Sequence, residues 1–528
     1  MTDRNWISRA AGGLLAAFCG AAWAMPAAAA PDYIIHNAKI VTVDQRFSIA
    51  QAAAISGDRF LRVGSNEEVL RLAGPATRRI DMGGRTVLPG FNDSHQSLLG
   101  KARTFEIAAD LTNVRSIADI QNAIRARAST RKKGEWIIGT RGWWEYELAD
   151  GRLPTRYDLD EAAPDHPVAI PAPHYQIANS LALRLGGIDK DTPDPPGGEI
   201  WRDPETGEPT GLLMDRAYRM ISVFAPRATR EEYTAGILKL LARHNSNGLT
   251  SMGETGASPQ DAELLRDLHR QGKLTVRTDL HYAVDPTQPL EEIERLLVSF
   301  GPPGWRLADG MMRIDSLAET SLDGAEQTAF LRGDYPGKPG YRGLQIVDTD
   351  KFHHVAALAN RYGWRMRPHA VGDAAIDQAL AAFAHANSER SIVGKRWGID
   401  HAFLLRPDHY EPVKRLGVII NSQYMHNYQL GALILKAWQR PLADMSMRYR
   451  DWVDNGILFA NGSDGPVSYH AEPLLQIYGS VTRKTGWGGS LGPDQGLTRE
   501  EAIRSVTINS AHTTFEEHIK GSIEPGKY

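Results

Sequence analysis

The sequence holds a single cysteine, Cys19, in 528 residues. Disulfide bonds within the chain are therefore excluded. Neither sign of charge dominates, because 60 Lys and Arg stand against 63 Asp and Glu and give a formal net charge of −3. That balance excludes a protein recruited to nucleic acid by bulk positive charge. With 42% hydrophobic and 23% charged residues, the composition predicts a folded globular protein rather than a disordered chain.

Long hydrophobic runs are missing as well, apart from one short stretch at the N-terminus. Arg4 and Arg9 precede an apolar stretch at 10–25, which is followed by Pro26 and the small residues 27–30. This order is typical of a secretory signal peptide, predicted here at residues 1–30, whereas a membrane-spanning helix needs about 20 apolar residues. We therefore expect an exported protein, periplasmic or secreted, with no membrane span. An uncleaved N-terminal anchor is the alternative.

Short strands with glycine turns open the rest of the chain. Residues 33–43 are β-branched and alternate in polarity, and further short strands are predicted at 52–56, 60–64 and 80–87. Strands without intervening helices predict a small β-sandwich, assigned to residues 31–88 and joined by residues 516–528.

Apolar strand-like runs then alternate with amphipathic helical runs. Eight strands are predicted, at 86–95, 248–254, 275–284, 311–318, 364–370, 397–402, 418–423 and 456–464. Helices are predicted between them, among others at 229–244, 259–271, 349–362, 374–386 and 407–416. Eight β-then-α units predict an α/β fold with a closed (β/α)8 TIM-like barrel over residues 89–515. The long first crossover, 96–247, is expected to be an inserted lid or substrate-binding subdomain.

Four of the predicted strands end in residues that bind metals. His95, His369 and His401 end strands one, five and six, and Asp464 ends strand eight. The C-terminal ends of barrel strands point at one pocket, so these side chains are expected to converge there. Imidazoles with a carboxylate suit Zn2+ or a similar divalent ion. A single histidine at a strand end is more often an ordinary core or surface residue, so the prediction rests on their joint placement.

Several motifs resemble those of the amidohydrolase superfamily, and within it the amidohydrolase-3 group, which includes N-substituted formamide deformylases. They are VLPGFNDSH (87–95), HAVGD (369–373), IDHA (399–402), GSDGPV (462–467), GRLPTRYDL (151–159), NSLAL (179–183) and KGSIEPGK (520–527). The resemblance runs from about Tyr33 to the last residue. It implies a metal-dependent hydrolase of non-peptide C–N bonds, such as amide or N-formyl bonds, on a barrel flanked by a β-sandwich.

The chain departs from the group's pattern at two metal ligands. The group usually has His-x-His after strand one, where this chain has His95-Gln96-Ser97, and a bridging lysine on strand four, which aligns with Asp315. The departures predict one divalent ion per chain, with zinc expected, rather than two. His369 and His401 would hold it with Asp315 or Glu254 as the carboxylate, while His95 and Asp464 flank the water. The alternative for Glu254 is ordinary pocket polarity.

The resemblance also implies catalytic roles. Asp464 would accept the water proton and return it to the leaving amine, and His174 in the insertion would stabilise the oxyanion unless it is a structural residue of the lid. Chains of the group usually continue beyond the Pro-Gly-Lys turn, so this sequence is expected to be a fragment of a longer protein.

Two functions therefore stay open. The first is a hydrolase acting on a small-molecule substrate. The second is a degenerate amidohydrolase that has kept the barrel as a small-molecule-binding protein, since two usual metal ligands are replaced. Association into a homo-oligomer is compatible with either.

Overall fold

The computed structural model describes residues 30–112, 114–172, 175–465 and 472–528. The predicted signal peptide lies outside the described residues except for Ala30, and so does His174. In the described part of the chain, no helix is both long enough and apolar enough to cross a membrane.

A small β-sandwich opens the fold. Its strands are β1 (Tyr33–His36), β2 (Lys39–Val41), β3 (Ile49–Ala50), β4 (Ala52–Ser56), β5 (Arg59–Gly64), β6 (Arg78–Asp81) and β7 (Thr86–Val87), with helix α1 (Asn66–Leu70). They form two sheets, in the orders β5-β4-β1-β6 and β3-β2-β7, whose apolar side chains share one cluster. The C-terminal segment joins this cluster, because Ile523 packs in it and donates its backbone N–H to the Thr42 carbonyl at 2.7 Å.

The first barrel strand, β8 (Phe91–Gln96), leads into the long insertion. The insertion contains α2 (Leu98–Phe105), α3 (Ile117–Ala128), β9 (Ile137–Ile138), α4 (Arg156–Ala162), β10 (Val168–Ala172), β11 (Tyr175–Ala178), α5 (Ser180–Leu185), β12 (Gly198–Arg202), β13 (Pro209–Asp215) and α6 (Arg219–Ser222). Its strands form one sheet in the order β12-β13-β11-β10-β9. Alternate residues of β10 enter separate apolar clusters, Ile170 in one and Ala169 in the other, so both faces of the sheet are covered.

Eight parallel strands form the barrel, which confirms the predicted fold class. The strands after β8 are β14 (Leu249–Ala257), β15 (Arg277–Tyr282), β17 (Met312–Ser321), β18 (Arg365–Ala370), β19 (Gly398–His401), β20 (Ile419–Ser422) and β21 (Phe459–Asn461), and the short β16 (Trp305–Arg306) pairs with β17. The sheet runs in chain order from β8 to β21. Its two edges meet where Asp464 donates its backbone N–H to the His95 carbonyl at 3.0 Å, so the barrel is nearly closed.

Helices surround the barrel. They are α7 (Arg230–Ser246), α8 (Pro259–Arg270), α9 (Leu290–Phe300), α10 (Thr349–Arg361), α11 (Asp373–Glu389), α12 (Pro407–Leu416), α13 (Tyr424–Trp438), α14 (Tyr449–Asp454), α15 (Pro473–Thr482), α16 (Arg499–Ser505) and α17 (Ile508–Thr513). Local sequence explains their starts, since Ser258 and Asp261 form a capping box at α8 and Pro259 stands at its first position.

Charged side chains of β18 fill the barrel interior in successive levels. Arg365, Arg367 and His369 are alternate residues, so they point to the same side of the sheet. Arg365 donates to Asp315 of β17 at 2.6 Å, and Arg367 donates to Asp400 of β19 at 2.8 Å. His369 stands at the C-terminal end of the strand. The interior is therefore ionic from its lower end up to the site.

The apolar layer between strands and helices carries the stability of the barrel. Trp397 is 0% exposed and its ring meets that of Phe383 edge-on, with centroids 4.9 Å apart. We expect Trp397→Ala to lower the free energy of unfolding by about 3–5 kcal/mol, because it leaves a large cavity. Denaturant titration followed by circular dichroism measures this.

The matched control is Trp305→Ala. Trp305 is 37% exposed and contacts the Arg266 guanidinium, so its loss should cost below about 1 kcal/mol. Equal losses in the two variants would contradict this assignment of the core.

Candidate metal centre

Three strands bring a His-Glu-His group together at the C-terminal end of the barrel. The Glu319 Oε1 atom lies 2.7 Å from His401 Nε2 and 3.3 Å from His95 Nε2. One ligand atom from each of the three residues lies within 4.8 Å of the others. Two histidines and a carboxylate at this spacing could hold one divalent ion.

A second group shares His401 and includes Asp464. The Asp464 Oδ2 atom lies 3.1 Å from His426 Nε2, and its Oδ1 atom lies 3.7 Å from His95 Nε2. His401, His426 and Asp464 also satisfy the spacing of a metal-binding group. Asp464 therefore stands beside the His-Glu-His group, with His426 behind it.

His369 lies next to these residues and also faces Glu319. Its Nδ1 atom is 3.7 Å from Glu319 Oε1, and its Nε2 atom is 3.6 Å from Asp323 Oδ1. Its ring meets that of His401 edge-on, with centroids 4.4 Å apart. The structure thus brings the predicted residues His95, His369, His401 and Asp464 into one cluster.

Buried polar residues orient the imidazoles from behind. Asp400 Oδ2 lies 3.3 Å from His95 Nδ1, and Asp400 is itself held by Arg367. The Gln423 side-chain oxygen lies 2.7 Å from His401 Nδ1. Contacts of this kind fix which imidazole nitrogen is turned towards a metal.

The charges of the cluster compensate one another. Burial lowers the pKa of His95, but the negative charges of Asp400 and Glu319 outweigh it and raise that pKa well above its usual range. For His369, the Glu319 carboxylate likewise outweighs burial and raises the pKa to about 9. Burial, then the charge of His369, lowers the pKa of His401 to about 4. Protons on histidines thus balance the carboxylates in the absence of an ion.

Asp464 is held in its charged form. Burial opposes its ionisation, but the hydrogen bond with His426 and the charge of His95 outweigh burial and keep the Asp464 pKa below its usual range. Its backbone adopts a φ of +51°, a conformation that few non-glycine residues take and that is concentrated at functional sites. The side chain is therefore an ionised carboxylate placed by an unusual turn.

The donor set fits a divalent ion. Imidazole nitrogens and a carboxylate oxygen are the ligands that zinc takes in catalytic sites. The ring nitrogens of the buried His95 lie 3.3 Å from carboxylate oxygens of Asp400 and Glu319, but neither contact has the geometry of a hydrogen bond. Glu319 keeps 27% of its side chain exposed to the cavity above, so the group can be reached from solvent.

Asp315 is not placed with the histidines, which corrects its expected position. It lies four residues before Glu319 on β17, about 13 Å lower in the barrel, and pairs there with Arg313 and Arg365. Glu319 stands where a strand-four ligand is needed. Glu319 comes directly after the predicted strand at 311–318. The rule that active-site residues lie at the C-terminal ends of barrel strands would therefore have selected Glu319 rather than Asp315.

Glu254 is also engaged elsewhere. Its two carboxylate oxygens accept the backbone N–H groups of Leu98 and Leu99 at 2.9 and 2.8 Å, in the first turn of α2. A carboxylate at a helix N-terminus is a structural arrangement, and it occupies both oxygens. His281, the penultimate residue of β15, pairs with Asp279 and Arg367 in the level below the cluster.

His426 is a site residue that the sequence analysis missed. It lies in the first turn of α13, directly after β20, so the rule that active-site residues follow barrel strands could have found it. The predicted residue His174 lies outside the described residues.

A cavity of about 350 Å³ opens above the cluster. Glu319, His401 and Asp464 form its floor, while Asp215 and Arg216 of the insertion form part of its wall. The insertion therefore covers the carboxyl end of the barrel.

Comparisons with known proteins give the class. The sequence model of the amidohydrolase family matches residues 78–528. The N-substituted formamide deformylase of Arthrobacter pascens is 28% identical over 511 residues, covering 94% of this chain and 92% of the relative. The putative amidohydrolase YtcJ of Bacillus subtilis is 29% identical over 510 residues, covering 93% and 92%. An uncharacterized metal-dependent hydrolase from Pyrococcus furiosus superposes with a TM-score of 0.70 at 26% identity, covering 94% of this chain and 97% of that one.

The fold and the site thus define a barrel hydrolase with a candidate metal centre. The chain belongs to the amidohydrolase family.

A pair of amide variants separates the two acids of β17. Glu319→Gln should lower metal content, because it removes the charge that three histidines share, whereas Asp315→Asn should leave metal in place and cost about 3 kcal/mol of stability by breaking a buried ion pair. Elemental analysis and thermal unfolding of both variants measure this. Metal lost from Asp315→Asn but kept by Glu319→Gln would reverse the assignment.

Proposed function

We propose that the protein is a metal-dependent hydrolase that cleaves non-peptide C–N bonds, of the amide or N-formyl type, in a small molecule. The observation that carries the proposal is the convergence of His95, Glu319 and His401 beside the ionised Asp464, on the floor of a cavity. The name of the Arthrobacter relative, an N-substituted formamide deformylase, supports the bond type.

One divalent ion, which we take to be zinc, would be held by His95, Glu319 and His401, with His369 alongside. When bound, such an ion lowers the pKa of water towards neutrality and polarises a carbonyl oxygen. Asp400 and Gln423 keep the two imidazoles turned towards the group.

Asp464 moves the proton. Its carboxylate is ionised and faces the space beside His95, so it can accept a proton from the attacking water. The same acid then delivers that proton to the nitrogen of the leaving amine. His426 holds the Asp464 carboxylate at 3.1 Å, which keeps it in place through both steps.

Two further assignments are proposals that rest on the sequence. His174 would stabilise the oxyanion, and residues 1–30 would direct export to the periplasm or beyond the cell.

Asp464→Asn is expected to lower the turnover rate by about 10²–10⁴-fold, because an amide of the same size cannot accept the water proton. The fold and the metal content should stay as in the wild type. The measurement is hydrolysis of a panel of N-formyl and N-acyl amines.

His401→Ala is the contrasting variant, since it belongs to both candidate ligand groups and should lose metal as well as activity. Full activity in Asp464→Asn would remove this residue from the mechanism.

Metal stoichiometry tests the proposal independently of any substrate. We expect close to one equivalent of divalent ion after dialysis, since Ser97 offers a hydroxyl near Thr255 rather than an imidazole. Two equivalents would contradict the single-metal assignment. Protein that holds no metal after supplementation with zinc would favour the small-molecule-binding alternative.

A further inference from the structure

A second cavity, of about 280 Å³, adjoins the one above the cluster. It lies between helix α2 and the sheet of the insertion, and Ser97 and Arg141 line both cavities. Ser97 follows His95 by two residues, which span at most about 7 Å, so the junction of the cavities is next to the metal centre. A molecule with its scissile bond at the cluster can therefore extend into the second cavity.

Arg141 differs from the other arginines of this wall. Arg216 and Arg219 both bind Asp285, at 2.7 and 3.2 Å. Arg141 is half-buried and, among the described residues, forms no hydrogen bond or ion pair, although its guanidinium offers five donors. Its donors therefore remain available to a ligand of opposite charge.

The second cavity has the lining that an anion requires. Its wall includes Lys101 and Arg141 together with Thr140 and Gln176, and no acidic residue occurs among the described residues that line it. Burial, then the nearby positive charge of Arg243, lowers the pKa of Lys101 to about 7, so a bound anion would stabilise its charged form.

We propose that Arg141 binds a carboxylate of the substrate in this second cavity. This inference rests on the proposed function and narrows it to N-acyl or N-formyl amino acids, in which one carbon separates the amide nitrogen from a carboxylate. The planar fork of a guanidinium matches a carboxylate with two parallel hydrogen bonds. Because Arg141 lines both cavities, a carboxylate that it holds would lie at their junction, beside the cavity whose floor is the cluster.

The probes are N-formylphenylalanine, in both enantiomers, and N-formylphenylalaninamide, which differ in the charge of one group. For Arg141→Gln, kcat/KM for the acid should fall about 10- to 100-fold through KM, while kcat/KM for the amide stays within about twofold, because the lost hydrogen bonds go to a charged group. Arg141→Lys should recover part of the preference for the acid. Metal content and thermal unfolding should be unchanged.

Arg219→Gln is the matched control. Its guanidinium is already bound to Asp285, so the variant should change acid and amide by the same factor. A wild-type enzyme that prefers neither probe, or a preference that survives Arg141→Gln, would overturn the inference while leaving the hydrolase proposal standing.

Calorimetric titration of the metal-containing protein with both probes gives a second readout. Binding of the acid at least tenfold tighter than the amide, lost in Arg141→Gln, supports the subsite even if neither probe is hydrolysed, an outcome that would count against the proposed function alone. Equal or absent binding of both probes would overturn the subsite.

Discussion

Ion pairing between buried side chains is the constraint on which the barrel interior depends. A charge removed from water costs several kcal/mol unless an opposite charge and hydrogen bonds compensate it. Arg365 meets Asp315 at the lower level, and Arg367 meets Asp400 above it. Because only every second residue of a strand points to the barrel interior, Arg365 and Arg367 lie at different heights, and each pairs with a carboxylate at its own height.

The cation changes in kind along β18, and this change creates the site. The lower two levels contain guanidinium groups, which cannot lose their protons and therefore neutralise their partners permanently. The upper level has His369 instead, beside His95 and His401. Imidazoles can release their protons to solvent when a divalent ion binds, so the carboxylate of Glu319 can be neutralised by protons or by a metal. Arginine at that level would exclude the ion by its own fixed charge.

Much of this arrangement could be predicted from the sequence, and the prediction that was wrong has a geometric reason. The pattern of apolar runs predicted all eight barrel strands, and the helix predicted at 407–416 has the same bounds in the structure, Pro407–Leu416. The strand-end rule found His95, His401 and Asp464. Alignment to a family position chose Asp315 over Glu319, although both lie on β17. Height in a barrel is set by strand register, and a shift of four residues moves a side chain by about 13 Å along the strand.

The candidate metal-binding cluster and the walls of the cavities above it come from different parts of the chain. The cluster and its supporting ion pairs are built from barrel strands, whose register fixes their positions. Arg141 and Arg216, by contrast, come from the insertion, which is joined to the barrel loops by polar contacts such as the 2.7 Å hydrogen bond from Thr328 to Asp215. Arg141 forms no ion pair among the described residues, so its substitution leaves no buried charge without a partner, unlike a substitution in the ion-paired interior. A substitution at Arg141 can therefore change the walls of the cavities while the histidine and carboxylate cluster below stays intact.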